Sequence, residues 1–181
     1  MTLKSYFQKM RGTTSSPPRV KAKEILLSWV GAFLGISLVA LPHFAWLDGT
    51  DLVMIIGSFG ASAVLAYGAI RSPLAQPRNM VGGHIISAVI GVASYQTLGQ
   101  WPWLSAAIAV ATAIAAMHAT KTLHPPGGAT ALIAVIGSDT IHNLGYLYVF
   151  LPVTLGAFAM LIVALVVNNI PASRRYPEFW W

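Results

Sequence analysis

Of 181 residues, 56% are hydrophobic and only 9% charged, against about a quarter charged in a soluble globular domain, so there is too little charge to cover a water-facing surface. The formal net charge of +6 sits beside apolar runs, where anionic lipid and the positive-inside bias account for it and nucleic-acid binding is not needed. Cysteine is absent, which excludes disulfides, thiolate catalysis and cysteine-ligated metals.

Residues 1–23 read as a basic, polar N-terminal tail with Pro17-Pro18, either mobile or interfacial. The run 25–41 resembles the apolar core of a signal sequence, but no Ala-x-Ala site follows it promptly, so an uncleaved first helix is expected. Residues 24–169 form the expected membrane domain, and 170–181 a short C-terminal tail. Charged and Pro/Gly-rich breaks divide the domain into six apolar segments, roughly 24–41, 52–70, 80–98, 102–118, 126–137 and 146–167. The expected fold is an all-α, polytopic transmembrane bundle of about six membrane segments. Segment 126–137 falls short of the roughly 20 residues that cross about 30 Å of hydrocarbon, which predicts a half-helix or a re-entrant piece.

Charge fixes an orientation. With six crossings, all eleven Lys and Arg fall on one side, taken as cytoplasmic together with both termini, while Asp48, Asp51 and Asp139 fall outside. Trp46, Trp101 and Trp103 mark the outer interface; Trp29, Tyr176, Trp180 and Trp181 mark the inner one. The expected location is a bacterial inner membrane, with lipid as a partner. Faces rich in Gly and Ala leave self-association open.

Residues 61–72 lie over 111–122 without a gap, with four alanines coincident and Arg71 over Lys121. Gly82-Gly83 and Gly127-Gly128 then each precede an apolar stretch ending Ala-Val-Ile-Gly. Two readings stand: a duplicated helix-hairpin unit, or the chance likeness of alanine-rich membrane helices.

His124-Pro125-Pro126-Gly127-Gly128-Ala129-Thr130 is the most distinctive string. Proline suits the first turn of a helix, so a helix N-terminus is expected here. Its amides at Gly127 and Gly128 are candidates for binding a small anion, with Thr130, Lys121 and His124 in support; the other reading is a rigid turn. The equivalent hairpin offers Arg78 and Asn79 as donors and His84 slightly deeper. Ser58 and Ser62, in Gly57-Ser58-Phe59-Gly60-Ala61-Ser62, stand where glycines permit an interrupted helix. None of the five acids lies inside a long apolar run, which argues against a carboxylate cation site. No cofactor, metal site or catalytic residue is expected.

These strings, together with Gln76-Pro77-Arg78-Asn79 and Gly82-Gly83-His84, resemble the HPP family of integral membrane proteins over about residues 28–169. The resemblance implies an all-helical membrane domain, usually described as four-spanning, and, for cyanobacterial and chloroplast members, nitrite transport. The resulting expectation is a secondary transporter or channel-like permease for a small inorganic anion, most of all nitrite, rather than an enzyme. Its site draws on Ser58, Ser62, Arg78, Asn79, His84, Lys121, His124, Gly127, Gly128 and Thr130. The alternatives are a transporter of another small solute, a non-transporting scaffold or assembly subunit, and a membrane enzyme using His84, His118 and His124.

Overall fold

A computed structural model describes residues 3–11, 13–47, 49–50 and 52–181. Among them are eight α-helices: α1 Leu3–Gln8, α2 Ala22–Pro42, α3 Ser58–Ala63, α4 Pro77–Leu98, α5 Pro102–Ala119, α6 Pro125–Ile136, α7 Asp139–Leu144 and α8 Leu155–Val167. Three of them, α4, α5 and α6, begin on a proline at the first helical position. The missing N–H there is one that a helix start leaves unpaired in any case, and the fixed φ is already helical.

Four helical stretches are long and apolar enough to cross a membrane: Ala22–Leu47, Pro77–Leu98, Pro102–Ala119 and Val149–Val167. The first and last exceed their α-helices because π-helical turns extend them, at His43–Leu47 and Val149–Thr154. In the latter, Leu151 is extended immediately before Pro152, the conformation a following proline imposes.

The other two expected segments are not regular spans. Residues 52–57 are non-helical and lead into α3 and a π-helical turn, Val64–Gly68. Segment 126–137 is the short helix α6, as its length indicated, followed by a turn and α7. The expectation of about six membrane segments, one of them short or broken, thus becomes four long helical stretches and two short segments. The echo does not carry through in form either: the first hairpin pairs a short helix with a long one, the second a long helix with a short one.

Small residues set the helix spacing. A Cβ on Gly91 of α4 would lie 2.6 Å from the Ala131 carbonyl oxygen and 2.8 Å from its Cα on α6, backbone that cannot yield. Burying apolar area gains little against lipid, so close approach of this kind supplies dispersion and polar contact in its place. Tyr67 lies across Gly31 and Gly35 of α2, and its hydroxyl donates to the Met160 carbonyl oxygen on α8 at 2.9 Å.

Residues 18–24, residues 173–181 and both basic hairpins gather at one end of the bundle. Arg174 Nε donates to Glu24 Oε2 at 2.7 Å, and its other nitrogens reach Glu24 O, Ser28 Oγ, Asn168 Oδ1 and Tyr67 O. Arg174 was expected only as one of the cytoplasmic-side charges; its side chain is 4% exposed, because these acceptors enclose it. The C-terminal tail is likewise packed rather than loose. The Tyr176 hydroxyl donates to Ala75 O at 2.7 Å, and Glu178 N donates to Gln76 Oε1 at 2.8 Å. Asp48 and Asp51, expected at the opposite end, lie outside the described residues.

Candidate functional site

The two short helices meet α4 at the centre of the bundle. α3 brings Ser58 and Ser62 one turn apart, α4 brings His84, and the start of α6 brings His124 and Thr130; all five side chains are buried. Ser62 Oγ lies 2.7 Å from His84 Nε2 and 2.9 Å from His124 Nε2, so a single hydroxyl bridges the two imidazoles. The other nitrogen of His124 faces the Leu74 carbonyl oxygen at 2.8 Å. The other nitrogen of His84 faces Thr130 Oγ1 at 2.7 Å. Thr130 Oγ1 in turn stands 2.9 Å from Ser58 Oγ and 3.2 Å from the Pro126 carbonyl oxygen.

The result is one unbroken polar chain from the Leu74 carbonyl, in the hairpin at the basic end, to Ser58 on the side of the opposite end. Its surroundings pack against it. The two imidazoles meet edge to face with centroids 4.9 Å apart, Phe59 packs edge-on against His84, and the Tyr148 hydroxyl donates to Thr130 O at 3.0 Å. Among the described residues no carboxylate makes a hydrogen bond or ion pair with any member of the chain.

Beyond Ser58 the fold opens. A cavity of about 650 Å³ is lined by His43, Thr50, residues of 52–57, Ser138 and Thr140. The amides of Val53, Met54, Ile55, Ile56 and Gly57 have no hydrogen-bond partner among the described residues. His43 Nδ1 is likewise buried without one. Backbone that is neither helix nor sheet is tolerated at membrane depth only inside protein or along a polar cavity, and this stretch meets that condition. His43 and the non-helical stretch carried no local signal in the sequence: Leu52-Val53-Met54-Ile55-Ile56 is apolar whether helical or not.

The remaining expected residues lie elsewhere. Arg78 donates from Nη2 to Thr120 O at 2.8 Å and lines a groove of about 540 Å³ at the basic end, beside Trp180 and Trp181. Asn79 Nδ2 donates to Leu123 O at 2.9 Å, tying α4 to the second hairpin. Lys121 is exposed in that hairpin with φ of 57°. In the groove wall α4 and the second hairpin pack closely, since a Cβ on Gly82 would meet Thr122 Cγ2 at 2.7 Å.

The helix start at α6 differs from the anion cradle that the sequence suggested. Pro125 and Pro126 have no N–H to offer, and Gly127 N donates to His124 O at 2.8 Å. A Cβ on Gly127 would lie within 3.0 Å of Ser87 Oγ, Gly83 O and Met117 Sδ, so α4 and α5 fill the space beside it. Gly128 faces Val110 of α5. The prolines that make the string recognisable also delete the first donors of the helix, and Gly127 serves close packing.

The chain is therefore a polytopic helical membrane protein organised around a buried His–Ser–His core. Residues 17–177 match the HPP transmembrane region, and the chain belongs to the HPP family of transmembrane proteins. It is similar to two transmembrane proteins of Dictyostelium discoideum, 47% identical over 180 residues covering 97% of this chain and 57% of that relative, and 43% identical over 187 aligned positions covering 100% of this chain and 65% of that relative. The chain thus spans less than two thirds of the length of either relative. No solved structure matches it.

Proposed function

We propose that this HPP-family domain is a permease for a small solute, most specifically a small inorganic anion such as nitrite, with the polar chain as its occluded centre. The supporting observation is the run of amides at 53–57 without a hydrogen-bond partner among the described residues, beside a cavity that reaches Gly57, the residue before Ser58. Backbone N–H groups attract an anion yet release it, unlike a buried arginine that would hold it. The donors are thus moved from the start of α6 to the non-helical stretch before α3. Ser58, Ser62, His84, His124 and Thr130 form the barrier beyond them. Arg78 and Asn79 stand at the inner groove, which Trp180 and Trp181 flank.

By the positive-inside bias, the end carrying the basic hairpins, the start of α2 and the segment after α8 faces the cytoplasm. In a bacterial cell this would be the inner membrane. A groove at that end lined by Arg19, Lys21 and Arg71 suits anionic lipid headgroups. In this scheme the non-helical stretch with α3, and α6 with α7, complete the two crossings that the four long helices leave out.

The test is uptake into proteoliposomes of nitrite, nitrate, chloride and bicarbonate, compared with protein-free liposomes. Protein-dependent flux of a small anion is the expected result. A second reading, a non-transporting assembly subunit, draws on the closed packing of the core; absence of flux for every anion would favour it.

A further inference from the structure

The distances in the polar chain count protons. Five contacts link Leu74 O, His124, Ser62, His84, Thr130 and Ser58 in series, at 2.8, 2.9, 2.7, 2.7 and 2.9 Å. Each needs one hydrogen between its two heavy atoms. A carbonyl only accepts, so His124 Nδ1 carries a hydrogen. If both imidazoles are neutral, Ser62 must donate to His124 Nε2, His84 must donate from Nε2 to Ser62, and Thr130 must donate to His84 Nδ1. The Thr130 hydrogen is then spent, so it cannot donate to Pro126 O, and the fifth contact is made by the Ser58 hydroxyl donating to Thr130 Oγ1.

One added proton reverses the last of these bonds and frees the Ser58 hydrogen. With hydrogens on both nitrogens of His84, Thr130 Oγ1 accepts from Nδ1 and turns its own hydrogen to Ser58 or to Pro126 O, and all five contacts are satisfied. The same count holds with the charge on His124, because the Ser62 hydrogen can point either way. A second proton would leave the Ser62 hydroxyl without an acceptor in the chain, between two cations whose rings are 4.9 Å apart. The capacity is therefore one proton, shared by the pair.

Among the described residues no carboxylate is in contact with that charge. The titratable groups around the pair are the imidazoles themselves and Tyr148, whose hydroxyl is engaged with Thr130 O; the flanking groups from α3 are Ser58, Phe59 and Ser62. Glu24 is committed to Arg174 at the basic end. An unpaired charge in a dry interior is costly, and an anion is what offsets it. With Thr130 turned toward Ser58, the Ser58 hydrogen becomes free for a ligand arriving past Gly57.

We infer that the His84–Ser62–His124 unit binds one proton together with the transported anion, so that the two cross as a neutral pair. The inference rests on the permease reading above. The proton comes from water in the outer cavity and forms only an N–H bond, which breaks on release. No other bond changes.

Two measurements separate the proton from the permease. The first is nitrite and nitrate uptake with a pH dye inside proteoliposomes, referenced to protein-free liposomes. Protein-dependent acidification should accompany anion entry and fall to the protein-free level in His84→Gln, whose amide keeps one donor and one acceptor. Anion entry without a proton would overturn the inference and leave the permease standing. No anion entry at all would overturn the permease reading, and the second measurement then decides the proton site. Nitrogen NMR of the wild-type chain with labelled histidine, assigned with His84→Gln and His124→Gln, should show the pair taking up a single proton as pH is lowered. Two neutral rings throughout the folded range, or two independent imidazolium signals, would overturn it.

Discussion

Arg174 Nε stands 2.7 Å from Glu24 Oε2, joining the segment after the last helix to the first turn of α2 across 150 positions. The guanidinium also serves Glu24 O, Ser28, Asn168 and Tyr67 O, so its removal strands several acceptors at once. Arg174→Ala is expected to cost about 3 kcal/mol, in the range for breaking a buried pair from one side. Glu24→Gln, at the more exposed partner, should cost about 1 kcal/mol. Thermal unfolding in detergent checks the order of the two.

Tyr67 sets a second prediction. A Cβ on Gly35 would fall 2.0 Å from its hydroxyl oxygen and 2.5 Å from Cζ, so Gly35→Ala must displace the ring and break its bond to Met160 O. A loss of about 2–4 kcal/mol is expected, combining overpacking with a buried hydroxyl left unpaired. Gly60→Ala meets nothing within 4 Å and should be neutral or gain up to about 1 kcal/mol from helix propensity. Unfolding midpoints of the two variants in the same detergent provide the comparison.

The cavity wall can be probed without background, because the chain holds no cysteine. Gly57 lines the outer cavity, and a Cβ there meets nothing within 4 Å. In Gly57→Cys, a membrane-impermeant thiol reagent added outside intact cells should react and block uptake, and nitrite should slow the reaction. An inert thiol, or one that reacts only when the cytoplasmic face is opened, would count against the orientation and the cavity.

The sequence made much of the centre legible, for physical reasons that can be named. His124, Thr130, His84, Ser58 and Ser62 are polar residues in strings of glycine, alanine and proline, and in a membrane such residues face protein. The structure places all five in one hydrogen-bonded chain. The helix N-terminus at Pro125 was legible from proline at the first helical position. That its amides are shielded was not, because the filling atoms come from Gly83, Ser87 and Met117 on other helices. The non-helical run 52–57 was hidden because hydropathy is the same for an apolar helix and an apolar irregular strand. Arg174 read as an ordinary inner-face charge, since its partner Glu24 is 150 positions away. For the Tyr176 phenol too, nothing local indicated burial, which raises its pKa above the ordinary value.

Uptake by Ser62→Ala, set beside Gly60→Ala on the same helix, tests the central claim most directly. Ser62 Oγ is the only atom bridging the two imidazoles among the described residues, and its loss should cost about 1–3 kcal/mol of stability, small enough to check for folded protein by size exclusion before the assay. Anion uptake is predicted to vanish in folded Ser62→Ala and to persist in Gly60→Ala. Uptake by Ser62→Ala at the wild-type rate would contradict the account.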